Sequence, residues 1–275
     1  MLRSLFAGIS GLRTNQSMLD VTGNNIANAN TVGFKSSSTV FSDTLSQMLT
    51  SASAAGDAEG QGGTNPIQVG LGVQLAAVTT NFGQGAAQTT GRPTDLMIQG
   101  DGFFVVRDGE EDVYTRAGAF SFDANGFLVT PTGNRVQGYE GAATDGGGTL
   151  EDIQLNTDEF VSYSIGPDGV LSGVTPEGEN TPIATLAIAN FVNPAGLEKI
   201  GDTSYRGTVN SGDVELGVAR GEGNGTVLSG AVEMSNVDLA AEFTNLILAQ
   251  RGFQASSRVI TTSDQVLEEL VNIKR

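Results

Sequence analysis

The sequence predicts an α+β protein in which long N- and C-terminal helices form a coiled-coil-like stalk and flank an inserted antiparallel all-β domain. Three observations support this fold class. Apolar residues recur at helical spacing at both ends of the chain, while apolar runs and turn signals alternate through the middle. Charge separates the same parts: residues 1–50 carry three basic and two acidic residues and residues 231–275 carry four and six. The stretch between them holds the remaining 7 basic and 23 acidic residues.

The first helix is predicted from a seam of positions that alternate in steps of four and three. Five of its seven positions between 5 and 26 are apolar, namely Leu5, Ile9, Leu12, Leu19 and Ile26. Such a seam is typical of a helix that packs on another helix. We assign residues 1–34 to an N-terminal helical domain.

A second seam predicts a helix within residues 231–275, with Ser235, Asn236 and Asp238 as candidate caps. Seven of its ten positions are apolar: Leu239, Phe243, Leu246, Phe253, Ile260, Leu267 and Val271. The plain alternative is that both helices pack on their own domain. Two long seams at opposite ends of the chain favour helices that pair with each other and with other copies.

Between the helices, the sequence predicts a connecting segment at 35–80 and a β-rich domain at 81–230. Residues 50–66 are of low complexity and indicate a flexible linker. Asn125-Gly126 and Asp168-Gly169 are hairpin signals, and Thr132-Gly133-Asn134 is a further turn. Residues 183–192 are a strand candidate.

The composition excludes several classes of function. The net charge is -17 and the chain contains no His, Cys or Trp. Strong acidity argues against a nucleic-acid partner, and the missing residue types remove the commonest general base, the thiolates and the zinc ligands. We expect no catalytic residue, no metal and no cofactor. The acidic run around Gly109 has the wrong register for a calcium loop, and the glycines at 70–72 and 221–225 indicate turns rather than phosphate loops.

No apolar run approaches the roughly 18 residues of a membrane span, so we expect no membrane insertion. The N-terminal segment MLRSLFAGISGL is interrupted by glycine and polar residues, which predicts that no signal is cleaved.

Residues 22–35, TGNNIANANTVGFK, resemble the N-terminal signature of flagellar rod and hook proteins. The matching residues include Asn24, Asn25, Asn28, Thr31, Gly33 and Phe34. The stretch from MLRSLFAGISGL to Phe34-Lys35 is most similar to the hook protein, and the C-terminal segment that begins MSNVDLAAEF is equally similar to the family. Since many hook proteins are longer, the chain resembles a short hook protein that lacks the outer domain.

The resemblance implies a structural subunit that self-assembles into a flexible helical tube and transmits torque from rod to filament. It also implies export by the flagellar type III apparatus without a cleaved signal, an extracellular place in the hook and basal body, and contacts with a distal rod protein, a hook cap and a hook-filament junction protein. The terminal seams would form the polymer interface, so Leu246→Asp would abolish polymerisation and leave the β domain folded. A rod subunit is the alternative within the family. From another class, a secreted β-domain that binds a surface remains open, and an enzyme ranks last.

Overall fold

In the computed structural model of the protein, the chain forms two compact units. The structure describes residues 2–54, 62–143, 148–156, 159–221 and 223–273. The helical unit comprises residues 1–27, 37–79 and 238–275, and the β unit comprises residues 28–36 and 80–237.

Over its described part, the helical unit contains two long helices and four strands. These are α1 (Leu2–Ala27), β1 (Ser37–Asp43), β2 (Ser46–Thr50), β3 (Ile67–Gly70), β4 (Val73–Thr80) and α2 (Leu239–Ile273). At a rise of 1.5 Å per residue, α1 is about 39 Å long and α2 about 52 Å long. Asp238 caps α2, because its Oδ1 accepts hydrogen bonds from the amides of Ala240 (2.9 Å) and Ala241 (3.3 Å).

Both helices are shorter than the segments assigned to them from the sequence. The first ends at Ala27 rather than near residue 34, because Asn28 begins a turn in which its carbonyl accepts the Thr31 amide at 3.1 Å. Asparagine disfavours helix interiors since its side chain competes for backbone partners. The second begins at Leu239, and residues 231–233 are a strand.

The segment at 35–80 is not a linker, which corrects the sequence-based assignment. Strand β1 pairs with β4, and β2 pairs antiparallel with β3, so a two-stranded ribbon occupies most of this segment. Its strands are rich in Val, Thr and other residues that favour strands. The low-complexity stretch at 50–66 made the ribbon hard to recognise from the sequence. Within that stretch, Ser53 pairs with Thr64 in an isolated β-bridge, and residues 55–61 lie outside the described residues.

In the described residues, the β unit contains sixteen strands and a short 3₁₀ turn at Pro194–Gly196. The strands are β5 (Ala87–Thr89), β6 (Leu96–Gln99), β7 (Phe103–Asp108), β8 (Glu111–Thr115), β9 (Ser121–Phe122), β10 (Leu128–Val129), β11 (Arg135–Glu140), β12 (Glu151–Asp152), β13 (Ser162–Ile165), β14 (Val170–Val174), β15 (Asn180–Asn190), β16 (Glu198–Gly201), β17 (Ser204–Arg206), β18 (Glu215–Val218), β19 (Thr226–Ser229) and β20 (Ala231–Glu233).

Twelve of these strands form one sheet, with the order β13-β14-β15-β11-β7-β8-β17-β16 and with β9, β10, β12 and β18 attached beside it. The central strands are buried on both faces, because their residues alternate between two apolar clusters. In β7, Phe104 belongs to one cluster, while Phe103 and Val105 belong to the other. This period of two is the pattern of a strand covered on both sides. The described pairings in the sheet are antiparallel, as predicted.

The three turns predicted in the β domain are confirmed. Asn125-Gly126 connects β9 to β10, with Gly126 at a φ of 82°, and Asp168-Gly169 connects β13 to β14. The turn at 132–134 connects β10 to β11, where the Gly133 amide donates to the Thr130 carbonyl at 2.9 Å. The strand expected at 183–192 is observed as β15. The glycines at 221–225 lie between β18 and β19, and Glu222 is outside the described residues.

Neither helix, over the residues that are described, is long and apolar enough to cross a membrane.

Candidate assembly interface

Helices α1 and α2 run antiparallel and contact each other along their length. Near one end, the Ser4 and Ser263 hydroxyls are 3.2 Å apart, and near the other the Asn25 Nδ2 donates to the Glu242 Oε1 at 3.1 Å. Ala249 is the one buried hydrophobic residue of the helical unit among the described residues. These hydrogen bonds between the helices are made by small and polar side chains.

Glycines bring the two helices unusually close. A Cβ placed on Gly8 would lie 3.0 Å from the Ile260 Cγ1, and one on Gly252 would lie 2.5 Å from the Asn15 Oδ1. A Cβ on Gly11 would lie 2.8 Å from the Ser256 Oγ. Small residues let helix backbones approach because no side chain separates them. The glycines thus determine the spacing of the pair.

The observed contact lies one residue before the predicted seam on α1. The contact positions are 4, 8, 11, 15 and 25, whereas the predicted seam passes through 5, 9, 12, 16 and 26. One residue corresponds to a rotation of about 100° around a helix. On α2, four contact positions likewise lie one residue before a seam position, namely 242, 252, 256 and 263. Ile260 is the one of these contact residues that is itself a seam residue. The hydrogen bonds and glycine contacts between the two helices therefore lie mostly beside the predicted seam rather than on it.

The predicted seam residues are incompletely buried in the single chain. Ile9, Leu239, Phe243, Phe253 and Val271 are exposed by 39%, 44%, 52%, 38% and 67%. The others are half-buried: Leu5, Leu12, Leu19, Ile26, Leu246, Ile260 and Leu267. This is the exposure expected of a surface that another molecule covers.

Exposed large hydrophobic side chains are concentrated in the helical unit. It contains 22 of the 27 such residues in the described part of the chain, although the β unit is the larger of the two. Ten of the 22 lie on the ribbon and the turns within it: Val40, Phe41, Leu45, Met48, Leu49, Ile67, Val69, Leu71, Leu75 and Val78. A lone two-stranded ribbon is at best marginally stable in water, and this ribbon is held to α1 by the bonds of Asn25 to Ser37 and of Ser10 to Val73.

A groove of about 540 Å³ lies between α1 and the ribbon within the helical unit. Its apolar walls come from Phe6, Ile9, Leu71, Val73 and Leu75. The Ser10 hydroxyl fixes one wall by accepting the Val73 amide at 3.3 Å. The groove can therefore receive apolar side chains from outside the chain.

Part of the signature cluster at 24–34 holds the helical unit together. Asn25 is 1% exposed, and its amide makes two hydrogen bonds with the Ser37 backbone. The Nδ2 donates to the Ser37 carbonyl at 2.7 Å, and the Oδ1 accepts the Ser37 amide at 3.0 Å. With its bond to Glu242, this side chain connects α1, β1 and α2. Asn24 is exposed at the surface of α1.

The rest of the signature lies in the β unit. The Thr31 hydroxyl donates to the Asn28 Oδ1 at 3.1 Å. Gly33 has a φ of 69°, and a Cβ there would lie 2.5 Å from the Ala117 amide nitrogen, so only glycine fits. Phe34 is buried, and the Lys199 ammonium lies 5.0 Å from its ring centroid.

A buried ionic cluster beside the signature was missed by the sequence analysis. The Lys35 ammonium donates to the Glu233 carboxylate at 2.6 Å, and both side chains are fully buried. Arg116 lies 3.7 Å from the second carboxylate oxygen. Burial lowers the pKa of Lys35, against the opposing effect of Glu233, and burial also lowers the pKa of Arg116. Lys35 ends the signature segment, but nothing local in the sequence identifies Glu233, 198 residues later, as its partner.

Three family descriptions match the sequence. Residues 5–35 match "Flagella basal body rod protein", residues 97–173 match "Flagellar hook protein FlgE/F/G D1 domain", and residues 228–273 match "Flagellar basal body rod FlgEFG protein C-terminal".

Full-length relatives agree with these matches. The chain is 48% identical over 276 residues to the flagellar basal-body rod protein FlgG of Bacillus subtilis, and 36% identical over 283 residues to FlgG of Borreliella burgdorferi. It is 30% identical over 443 aligned residues to the flagellar hook protein FlgE of Borreliella burgdorferi. Each comparison covers all of both chains. These families are structural axial proteins rather than enzymes, which confirms that expectation. The chain belongs to the family of flagellar rod and hook axial proteins.

Proposed function

We propose that the protein is a rod subunit of the bacterial flagellum, which polymerises through its helical unit into a tube that transmits torque. The observation that carries the proposal is the concentration of exposed apolar side chains in that unit, 22 of 27 among the described residues. Burying one such side chain contributes about 1.5–3 kcal/mol. A surface of this size can offset the entropy that each added subunit loses.

The sequence-based prediction placed the hook first, but the relatives favour the rod. Identity to the Bacillus subtilis rod protein is 48%, against 30% for the hook protein of Borreliella burgdorferi. Alignment with the rod protein takes 276 residues, close to the 275 of this chain, whereas alignment with the hook protein extends over 443. A short chain with one β unit is therefore the ordinary length for a rod protein, and no missing outer domain needs to be invoked.

In this proposal α1 and α2 form a coiled-coil-like stalk whose small-residue contact is internal and whose apolar seams face neighbouring copies. From the sequence, residues 1–34 and 231–275 were assigned to the inner tube. In this proposal, the helices within these segments, residues 2–27 and 239–273, form it. A contact that repeats from one copy to the next without closing generates a helical filament.

The ribbon and the groove extend the same interface. The groove between Phe6, Ile9 and Leu75 would accept apolar side chains of an adjacent subunit. The acidic β unit, whose own core is complete, would lie outside the tube and contribute weaker, polar contacts.

We infer the neighbours and the route of assembly from family membership. The partners would be further copies of the chain and the adjacent rod and hook subunits, whereas the hook cap and the hook-filament junction protein would be partners only in the hook alternative. The subunit would leave the cell through the flagellar type III apparatus without a cleaved signal and would function in the extracellular axial structure.

Electron microscopy of the purified full-length chain tests the proposal. We expect the wild-type chain to form straight tubes; curved tubes would favour the hook. Phe243→Asp, which places a carboxylate on the exposed seam, should abolish tube formation and leave the β unit folded by near-ultraviolet circular dichroism.

Val209→Asp is the matched control, because Val209 is fully exposed in the β unit. Its tubes should be normal. Equal polymerisation of the two variants would show that the helical unit is not the interface.

A further inference from the structure

Three segments of the β unit meet at one junction, formed by residues 33–36, 81–86 and 233–236. Three of the four points where the chain passes between its two units, at 36/37, 79/80 and 237/238, lie within two residues of these segments in the sequence. The path along the covalent chain from one unit to the other therefore leads through this junction.

Lys35 and Glu233 connect the three segments through buried hydrogen bonds. Lys35 donates to the Glu233 Oε1 at 2.6 Å and to the Gly83 carbonyl at 2.9 Å. The same Glu233 oxygen accepts the Gly85 amide at 2.7 Å, and the Glu233 carbonyl accepts the Gly33 amide at 2.8 Å. Each of the two side chains thus bonds both of the other segments.

Asn236 repeats this arrangement nearer the surface. Its Oδ1 accepts the Ser36 amide at 2.8 Å, and its Nδ2 donates to the carbonyls of Asn81 (2.8 Å) and Gly83 (3.0 Å). The Asn81 amide donates in turn to the Ser36 carbonyl at 2.8 Å. The Gly83 carbonyl is consequently shared by Lys35 and Asn236.

The chemistry of the junction suits positioning better than stabilisation. A buried ion pair contributes little net stability, because desolvation offsets the attraction, yet it accepts only one geometry. This cluster also has two buried cations, Lys35 and Arg116, that share one buried carboxylate, Glu233, while Asp101 also acts on Arg116. The Arg116 Nε and Nη1 and the Glu233 Oε2 have no hydrogen-bond partner, and the arrangement is therefore not the one that would maximise stability.

We propose that Lys35, Glu233 and Asn236 are positioning residues that lock the three segments into one rigid junction, and that this junction sets the stiffness of the assembled tube. The second half of this statement rests on the proposed function. Without the three side chains, each segment could shift independently and torque would be lost in local deformation.

Lys35→Met in the full-length chain tests both the rigidity of the junction and its effect on the stiffness of the tube. Methionine keeps an unbranched apolar stem and leaves the Arg116–Glu233 pair balanced. In the depolymerised chain, the amides of Ser36, Asn81 and Gly85 should exchange hydrogen about tenfold faster, because a buried charged hydrogen bond is lost. Amides of the central sheet, at Phe104 and Ile188, should keep their rates. In tubes, the persistence length should fall.

Lys35→Arg should restore part of the protection, and Arg220→Met, which removes an exposed ion pair with Asp168, should change neither readout. If Lys35→Met does not fold, Asn236→Ala provides the same two measurements. Exchange that is unchanged, or faster by the same factor at every amide, would overturn the rigid junction. Selectively faster exchange with tubes of unchanged stiffness would overturn its mechanical role. Absence of wild-type tubes would count against the proposed function, while the exchange result would still decide the junction.

Discussion

Phe104 in the β unit is fully buried, whereas Phe243 in the helical unit is 52% exposed. The same contrast holds for leucine, since Leu96 is fully buried and Leu248 is 60% exposed. The β unit places its apolar residues on the two faces of a sheet, and both faces are covered within the same chain. The helical unit uses glycine, serine and asparagine together with Ile260 for its internal contact and leaves many large apolar residues exposed. One unit buries its apolar residues within a single chain, and the other leaves an apolar surface that further copies cover in the proposed function.

The largest difference should appear when one phenylalanine is removed from each unit. In the depolymerised chain, Phe104→Ala should lower the free energy of unfolding of the β unit by about 4 kcal/mol, because it leaves a cavity in a packed core. Phe243→Ala should change the stability of the helical unit by less than about 0.5 kcal/mol, since the side chain is already exposed. Urea unfolding followed by tyrosine fluorescence and by helical circular dichroism measures both. Equal losses would contradict the contrast between the units.

A charge removed from the buried cluster should produce the next largest effect. Glu233→Gln removes the buried carboxylate that Lys35 and Arg116 share and should lower the free energy of unfolding of the β unit by about 3 kcal/mol. Lys35→Met should cost clearly less, because Arg116 and Glu233 remain as a balanced pair. Denaturant midpoints of the two variants provide the test, and a larger loss for Lys35→Met would show that the charge balance is misassigned.

The close helix contact can be tested with a single methyl group. Gly252→Ala places a Cβ against Asn15 and should destabilise the helix pair by about 1–3 kcal/mol through overpacking. Gly23→Ala is the control, since a Cβ on Gly23 meets nothing within 4 Å. It should stabilise α1 by about 0.4–1 kcal/mol by restricting the unfolded chain. Thermal unfolding of the depolymerised chain can be followed by the circular dichroism of its helices at about 222 nm. The two variants should shift the unfolding midpoint in opposite directions, and shifts in the same direction would refute the contact.

The smallest effect is expected on the surface of the β unit. Arg220 and Asp168 form a 2.7 Å ion pair in which both side chains are 57% exposed. Arg220→Gln should change the free energy of unfolding by less than about 1 kcal/mol, because solvent screens exposed pairs. A larger change, measured by denaturant unfolding, would mean that this exposed ion pair contributes to the stability of the β unit. The stability would then not come from the core alone.

The sequence predicted the elements whose signals are local. The hairpin at Asn125-Gly126 and the strand β15 follow from turn chemistry and apolar runs that span only a few residues. The two helices were found from periodicity, and Asp238 was among the predicted caps of α2. The first assigned segment extends past Asn28, where α1 has already ended. The ribbon at 37–80 was missed because the low-complexity stretch at 50–66 separates its strands β2 and β3 in the sequence.

The site was only partly predictable, because periodicity identifies an apolar face without identifying its partner. The seam through Leu12 and Phe253 was assigned to helix pairing and polymer contact together. Within one chain, the contact proves to lie one residue earlier, at Gly11 and Gly252. The spacing of Gly8, Gly11, Gly252 and Ser256 could have indicated it. The pairing of Lys35 with Glu233 could not have been found this way, since tertiary structure alone brings these residues together.

Hydroxyl-radical footprinting of the chain as monomer and as polymer would test the central claim most directly. Phe6, Met48 and Phe243 of the helical unit should become protected on polymerisation, while Val161 and Val209 of the β unit should be labelled equally in both states. Equal labelling of the helical-unit residues in monomer and polymer would contradict this claim, because the exposed apolar surface would then not be the assembly interface.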